Sequence, residues 1–304
     1  MERSQWIWLD GEFVPWDEAR VHVLTHTLHY GLGAFEGVRC YDGASGPAIF
    51  RLNDHTDRLF ASAHILGMAI PYSAAEISAA CQEAVRVNHL ESCYIRPLVF
   101  VGEGEMGLAA KTNPIRVSIA VWPWGSYLGE DGVENGIRVH TSSYQRFHVN
   151  SLMSKAKAVG HYVNSILASR EARTAGYDEA LLLDSQGFVA EGSGENLFIA
   201  RRGVVKTPPL TSALAGITRD TVLTLLAEQG VPVVEQFFTR DEVYIADEAF
   251  FTGTAAEITP VRELDDRQVA AGKPGPITRA VQEAYRRATR GELAGHSDWL
   301  AVVS

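Results

Sequence analysis

The sequence predicts a mixed α/β (α+β) fold in two domains. Strand-like and helix-like segments occur in both halves of the 304 residues. Their order shows no clean strand–helix–strand alternation and no GxGxxG, which disfavours a dinucleotide-binding fold. A Gly- and acid-rich stretch, Gly125 to Gly136 (GSYLGEDGVENG), follows an apolar run and marks a boundary. The expected organisation is an N-terminal α/β domain over 1–124, a linker over 125–135 and a C-terminal α/β domain over 136–304.

Each element has a local reason. Tyr94 to Val101 and Ile115 to Trp122 are apolar, β-branched runs of strand length, and Ile137 to His140 and Ala180 to Leu183 are shorter ones. Asp184-Ser185-Gln186-Gly187 is a turn. Leu197 to Ala200 and Val204 to Lys206 flank Arg201-Arg202-Gly203, a hairpin signal. Ser73 with Glu76 forms a capping-box pattern, and Ile77, Ala80, Cys81, Ala84 and Val85 follow on one helical face. Thr218 to Gln229 reads as a second helix, with Val222, Leu225 and Leu226 inward and Gly230 as its stop. Ile277 to Thr289 reads as a third, with Val281, Ala284 and Tyr285 on one face. Lys157 to Ala175 reads as a fourth.

Composition narrows the function. Hydrophobic residues make up 46% and charged residues 21%, the balance of a folded globular chain. The 37 acids outnumber the 27 Lys and Arg, a formal charge of −10, so nucleic acid is not the expected partner. Three cysteines without CxxC spacing predict reduced thiols in the cytoplasm rather than a disulfide framework or a zinc site. The opening MERSQWIWLDGEF has no basic stretch leading into an apolar one, and no run of about 18 apolar residues predicts a membrane span.

Several segments can carry chemistry. The lysines are few: Lys111, Lys155, Lys157, Lys206 and Lys273. Lys157, in Ser154-Lys155-Ala156-Lys157-Ala158-Val159-Gly160, has small neighbours that let another group approach, and a desolvated lysine there can serve as nucleophile or base. An ordinary solvated lysine is the alternative, and Lys155 is the rival. On a helix the two would project roughly 200° apart, so only one could face a site. Glu191 lies in Val189-Ala190-Glu191-Gly192-Ser193-Gly194-Glu195-Asn196-Leu197, read as a loop whose backbone can approach a ligand and whose carboxylates suit a cationic ring nitrogen, with Asn196 fixing it. A hairpin turn with solvated acids is the plainer reading. Gly216-Ile217-Thr218-Arg219-Asp220 opens a helix, and the free N–H groups there suit a phosphate, though a Thr cap explains the pattern equally. Gly253-Thr254-Ala255-Ala256-Glu257 is a small-residue turn able to offer N–H groups to an anion, though a plain tight turn explains it equally. Arg58, Tyr94 and Arg96 are further anion-binding candidates, although an Arg on a helix or edge strand is usually just solvated. His22, His26 and His29 fall at intervals that could align them on a helix, yet no supporting acid or Cys makes them a metal site, and no metal is expected.

Seven segments occur together and in order: His29-Tyr30-Gly31, Phe35-Glu36-Gly37-Val38-Arg39, Tyr94-Ile95-Arg96-Pro97, Lys157-Ala158-Val159-Gly160, Glu191 to Phe198, Gly216-Ile217-Thr218-Arg219, and Gly253 to Pro260. On these the chain resembles the branched-chain amino-acid aminotransferases. Those are class IV pyridoxal 5'-phosphate (PLP) enzymes of fold type IV, with a D-amino-acid-aminotransferase-like architecture. The resemblance runs from about Trp6 to about Tyr285.

It implies transfer of the amino group of L-leucine, L-isoleucine or L-valine to 2-oxoglutarate, by a homodimer or higher homo-oligomer whose partner completes each pocket. It assigns Lys157 as the cofactor-joining, proton-moving lysine, Glu191 to the pyridine nitrogen and Tyr162 to the ring hydroxyl. Arg58, Ile217, Thr218 and Thr254 are assigned to the phosphate. Tyr94 and the turn Thr254, Ala255, Ala256 are assigned to the substrate α-carboxylate, and Tyr30, Phe35, Gly37, Trp124 and Tyr127 to the side-chain pocket. Arg96 is assigned to the distal carboxylate of glutamate, and Leu108 to the neighbouring subunit's pocket. Another fold type IV enzyme, such as a D-amino-acid or (R)-amine transaminase or an aminodeoxychorismate lyase, is the alternative, and YIRP and FEGVR speak against it. A non-enzymatic PLP- or carboxylate-binding protein is a third. Arg146 to Lys155 lacks the prolines usual in relatives, and His161 stands where a smaller or amide residue is usual.

Overall fold

The computed structural model describes residues 2–125 and 128–303. They form two compact units: Met1–Trp124 with Ala156–His161 and Arg287–Ser304, and Gly125–Lys155 with Tyr162–Arg286.

The first unit is built on an eight-stranded sheet. Its strands are β1 (Trp6–Leu9), β2 (Glu12–Pro15), β3 (Gly33–Phe35), β4 (Val38–Gly43), β5 (Gly46–Phe50), β6 (Cys93–Val101) and β7 (Ile115–Trp122), with the C-terminal strand Leu300–Val302 at one edge beside β5. All its strand pairings are antiparallel. A short helix α1 (His26–Tyr30) precedes β3, and α2 (Leu52–Ile65) and α3 (Ala74–Val87) follow β5. Ser73 caps α3, and Glu76 returns a carboxylate to the Ser73 N–H at 2.7 Å, so the capping box expected from sequence is formed. Ile77, Ala80, Cys81, Ala84 and Val85 are buried, and the core they join includes Ile95, Val99, Ile119 and Val121 of β6 and β7.

The second unit carries nine strands: β8 (Ile137–Thr141), β9 (Glu179–Leu183), β10 (Val189–Gly192), β11 (Asn196–Arg201), β12 (Val204–Thr207), β13 (Val233–Glu235), β14 (Glu248–Gly253), β15 (Glu257–Leu264) and β16 (Arg267–Gln268). They run β10-β9-β8-β15-β14-β11-β12-β13, with β16 beside β15. The pairs β8–β9, β8–β15 and β12–β13 are parallel and the rest antiparallel. Helices α4 (Glu130–Asn135), α5 (Tyr162–Thr174), α6 (Ile217–Glu228), α7 (Arg240–Tyr244) and α8 (Pro276–Thr289) complete it. The hairpin β11–β12 turns at Arg202-Gly203, both with positive φ. Val222, Leu225 and Leu226 face inward on α6 as their spacing predicts.

Three expectations change. The helix read from Lys157 starts at Tyr162, after a 3-10 turn over Val159–His161. The reason is long-range: the Lys157 N–H donates to Ser62 Oγ at 3.0 Å, its carbonyl accepts from the Phe35 N–H at 3.1 Å, and Ala158 bridges to Ala34. Those bonds hold the backbone extended and place residues 156–161 in the first unit, whereas the linear division puts them in the C-terminal domain. Glu191 lies on strand β10 rather than in a loop, next to a register shift between Val189 and Glu191. Only His26 and His29 of the three spaced histidines are on α1; His26 Nε2 meets the Gly107 carbonyl at 3.0 Å and His29 Nε2 the Val23 carbonyl at 2.8 Å.

Candidate active site

In the first unit Phe35, Tyr94, Arg96 and Trp124 lie at or near the ends of β3, β6 and β7. Phe35 closes β3 and is buried. Tyr94 and Arg96 alternate along β6, so their side chains share one face of the sheet. The Arg96 guanidinium carbon lies 4.7 Å from the Phe35 ring centroid, 5.3 Å from that of Tyr94 and 5.9 Å from that of Trp122. Trp124 packs on Tyr94 with centroids 4.9 Å apart. This is a cation set into aromatic walls, suited to an anion while offering apolar surface. Lys157 Nζ stands 5.2 Å from the Phe35 centroid.

Gly37 is required there by space. A Cβ built on it would lie 1.9 Å from Tyr94 Oη and 2.7 Å from Cζ. Arg58, on α2, is held by Glu36, with Nε to Oε1 at 2.7 Å and Nη2 to Oε2 at 2.9 Å. Tyr30, at the end of α1, is 42% exposed and tilted against the His26 ring at 4.5 Å. Leu108 is 92% exposed in the loop between β6 and β7. Tyr127 lies outside the described residues.

The second unit gathers its share around Asn196. The Asn196 amide donates from Nδ2 to Glu191 Oε2 at 3.4 Å and to the Leu214 carbonyl at 3.1 Å. The Leu214 N–H donates to the same Glu191 oxygen at 3.2 Å, and Arg146 Nε stands 2.5 Å from Oε1. Glu191 is therefore a buried carboxylate held on both oxygens. A Cβ on Gly216 would come within 2.0 Å of Asn196 Oδ1, so the start of α6 sits hard against this residue. Gly216 is the N-cap of α6 and provides no side-chain cap, leaving the first-turn N–H groups, with Ile217 and Thr218, disposed toward an anion. Thr254, Ala255 and Ala256 form the turn between β14 and β15, next to Gly253, whose built Cβ would touch Glu195 Cγ at 3.3 Å. Tyr162 opens α5 and is half-buried.

Lys155 and Lys157 are not on a helix, so the separation of roughly 200° expected for one does not apply. Lys155 Nζ donates to the Ala213 carbonyl at 3.3 Å in the second unit, while Lys157 belongs to the first. Sequence reading missed Arg146, His55 and the side-chain role of Glu36. Arg146 sits in an irregular Arg-Phe-His run with no local signal. His55 could have been found, because it falls on the buried face of α2 with Leu52, Leu59 and Ala63, an apolar spacing that demands a partner for a polar ring. Among the described residues no group of three or more His, Cys, Asp or Glu is placed to hold a metal ion.

Each unit by itself offers groups that fit a phosphorylated pyridine aldehyde: the first a half-buried primary amine, the second a buried carboxylate fixed on both oxygens and a helix N-cap that carries no side chain and leaves its first-turn N–H groups to a phosphate. Known proteins agree with that chemistry. A family model described as amino-transferase class IV matches residues 33–264. The chain belongs to the class IV aminotransferases, PLP-dependent transaminases of fold type IV.

Within that class it has close relatives named as branched-chain-amino-acid aminotransferases. It is 57% identical over 302 residues to the branched-chain-amino-acid aminotransferase of Pseudomonas aeruginosa, covering 99% of this chain and 98% of the relative. It is 46% identical over 305 residues to that of Escherichia coli, covering 100% and 99%. The crystal structure of the Escherichia coli branched-chain amino acid aminotransferase superposes with a TM-score of 0.98 at 46% identity, covering 99% of this chain and 100% of that one. The PLP-bound holo form of the branched-chain amino acid aminotransferase from Thermobaculum terrenum superposes at 0.93 and 36% identity, covering 100% of both chains.

Proposed function

We propose that this chain is a branched-chain L-amino-acid aminotransferase. It moves the amino group of L-leucine, L-isoleucine or L-valine to 2-oxoglutarate, giving branched-chain 2-oxo acids and L-glutamate. The observation that carries the substrate class is Arg96 set among Phe35, Tyr94 and Trp122. One pocket has to accept an aliphatic side chain and a γ-carboxylate in turn. Aromatic walls serve the first and an embedded guanidinium the second.

When bound, PLP supplies the electron sink that makes the substrate Cα–H acidic and carries the amino group between substrates. The chain's residues orient and protonate around it. Lys157 Nζ takes the proton from substrate Cα; its backbone is fixed by the Phe35 N–H and Ser62 Oγ, so the amine swings on its own side-chain torsions only. Glu191 holds a proton at the ring nitrogen, and Arg146, Asn196 and the Leu214 N–H keep that carboxylate from turning away. Tyr162 binds the ring hydroxyl. Arg58 and the starts of α6 and of the 254–256 turn, through Ile217, Thr218 and Thr254, bind the phosphate. Tyr94 with Thr254, Ala255 and Ala256 orients the substrate α-carboxylate. Tyr30, Phe35, Gly37 and Trp124 line the side-chain pocket.

A homodimer fits the surface of the first unit. Val21, Val23, Leu24, Leu28, Met106 and Leu108 are exposed large apolar side chains, which water alone does not favour. A 190 Å³ cavity lined by Ile7, Leu9, Val21, Leu28, Leu98 and Phe100 lies beside them. Leu108 in this reading enters the partner's pocket. No helix among the described residues is long and apolar enough to cross a membrane, and a cytoplasmic location accords with three buried free thiols.

The test is direct. PLP-loaded protein is reduced with borohydride and its peptides mapped, and Lys157 is expected to carry the label. Glutamate formation is then followed with each L-amino donor and its D-enantiomer. Label on another lysine, or turnover confined to D-donors, would refute the reading.

A further inference from the structure

Glu36, His55 and Arg58 form a buried charged cluster in the first unit, only one member of which has a role in the reaction as read above. Glu36 directly follows β3, and its side chain is 1% exposed. Arg58 grips it with two parallel hydrogen bonds, at 2.7 and 2.9 Å. His55, one turn earlier on α2 and also buried, meets Glu36 Oε2 through Nδ1 at 2.7 Å, and the Gly37 N–H donates to the same oxygen at 3.3 Å. Burial alone would raise the Glu36 carboxyl, but the Arg58 charge and then His55 outweigh it and hold it well below the ordinary carboxylate range. Burial pushes His55 down; Glu36 pulls it back only in part, and the charges of Arg58 and Lys157 oppose it further. The ring is thus neutral, and Nδ1 donates its hydrogen to the carboxylate.

A buried charge cluster is an inefficient way to stabilise a fold, since well-packed apolar side chains of similar size do as well or better. What a bidentate carboxylate does confer is a fixed guanidinium plane. The same short segment also fixes the amine's backbone: the Phe35 N–H holds the Lys157 carbonyl, while the Glu36 N–H is anchored to Pro97 O at 2.9 Å. Residues 35 and 36 thus hold two groups that the reading above assigns to one cofactor, Lys157 to its aldehyde carbon and Arg58 to its phosphate.

We propose that Glu36, backed by His55, is a positioning residue that presents Arg58 to the cofactor phosphate in a fixed orientation before the cofactor arrives. The inference rests on the reading of Arg58 as a phosphate ligand. An arginine side chain left mobile must be ordered at the moment of binding, and that cost weakens affinity. The effect is confined to ligands that carry the phosphate.

The experiment uses the full chain freed of PLP and titrates it with PLP and with pyridoxal, which lacks the phosphate, following absorbance and tryptophan fluorescence. Wild type is expected to bind PLP far more tightly. Glu36→Gln should raise the PLP Kd about tenfold or more and leave pyridoxal within about twofold. His55→Gln, which keeps the Glu36–Arg58 pair, should raise the PLP Kd about two- to fourfold, and it carries the test if Glu36→Gln does not fold. In an Arg58→Met background Glu36→Gln should add nothing further, because its effect runs through Arg58. Equal weakening of PLP and pyridoxal, or a Glu36→Gln loss that persists without Arg58, would overturn the positioning role. Arg58→Met with an unchanged PLP Kd would instead overturn the reading of Arg58 itself.

Discussion

Substituting Gly37 by alanine adds one methyl group where the structure has no room for it. That Cβ would lie 1.9 Å from Tyr94 Oη and 2.7 Å from Tyr94 Cζ, far inside contact distance. Gly37 has no positive φ, so the backbone accepts alanine and the whole effect is steric. Tyr94 cannot swing aside cheaply. It is buried, with Trp122 and Trp124 packed on its ring at 5.2 and 4.9 Å. Overpacking of this kind costs about 1–3 kcal/mol. At about 2–4 °C per kcal/mol the unfolding midpoint should fall by about 2–12 °C. If Tyr94 binds the substrate α-carboxylate as proposed, its displaced hydroxyl also gives up that contact, and one lost hydrogen bond of about 0.5–1.5 kcal/mol raises KM about two- to tenfold for amino donors and oxo acids alike. Thermal denaturation and steady-state kinetics read both quantities. Adding Tyr94→Phe to the Gly37→Ala protein removes the nearest clashing atom and should recover part of the lost stability. A Gly37→Ala enzyme with wild-type midpoint and KM, or a double variant with no recovery, would refute the argument.

Four other outcomes are expected. Lys157→Ala should reduce turnover below about a thousandth of wild type while the protein still binds PLP, checked by steady-state rates and equilibrium dialysis. Glu191→Gln should lower kcat about a hundredfold or more with a much smaller change in PLP affinity; an unchanged rate would remove the role at the ring nitrogen. Arg96→Leu should lower kcat/KM for glutamate and 2-oxoglutarate about ten- to a hundredfold, the worth of a charge-assisted hydrogen bond, and that for leucine much less. His55 is held below its unfolded value near 6.5, so the unfolded chain binds the proton first, and this residue's contribution to stability is present above pH 6.5 and lost as the pH falls below it. Denaturant midpoints from about pH 7.5 to about pH 5 should therefore decline less steeply in His55→Gln than in wild type; identical slopes would count against a buried neutral ring.

What could be read from sequence was what depends on neighbours in sequence. The α3 cap and its buried face follow from Ser73, Glu76 and a 3.6-residue spacing, all local, and so do the β7 strand Ile115–Trp122 and the β11–β12 hairpin. The reading failed where a distant partner decides. Nothing near Lys157 reports that Phe35 and Ser62 will take its backbone hydrogen bonds and keep it out of a helix. Glu191 looked like a loop acid because Gly192, Ser193 and Gly194 surround it, but pairing of β10 with β9 claims it as a strand residue. The Arg146–Glu191 and His55–Glu36 pairs are likewise made only by the tertiary structure. The family resemblance named many candidate residues that no single spacing could, because the order of seven weak segments carries more information than any one of them.

The first unit is assembled out of chain order. Its sheet takes an edge strand from residues 300–302, and Lys157 arrives on a six-residue insert that precedes more than a hundred residues of the second unit. During synthesis the N-terminal portion therefore emerges without its closing strand and without that insert, and it must wait for nearly the whole polypeptide before it can be completed. Severing the gene at the Gly-rich boundary would yield an amino-terminal fragment with an open sheet edge and without Lys157, so activity from split halves would depend on the second fragment threading both missing pieces back.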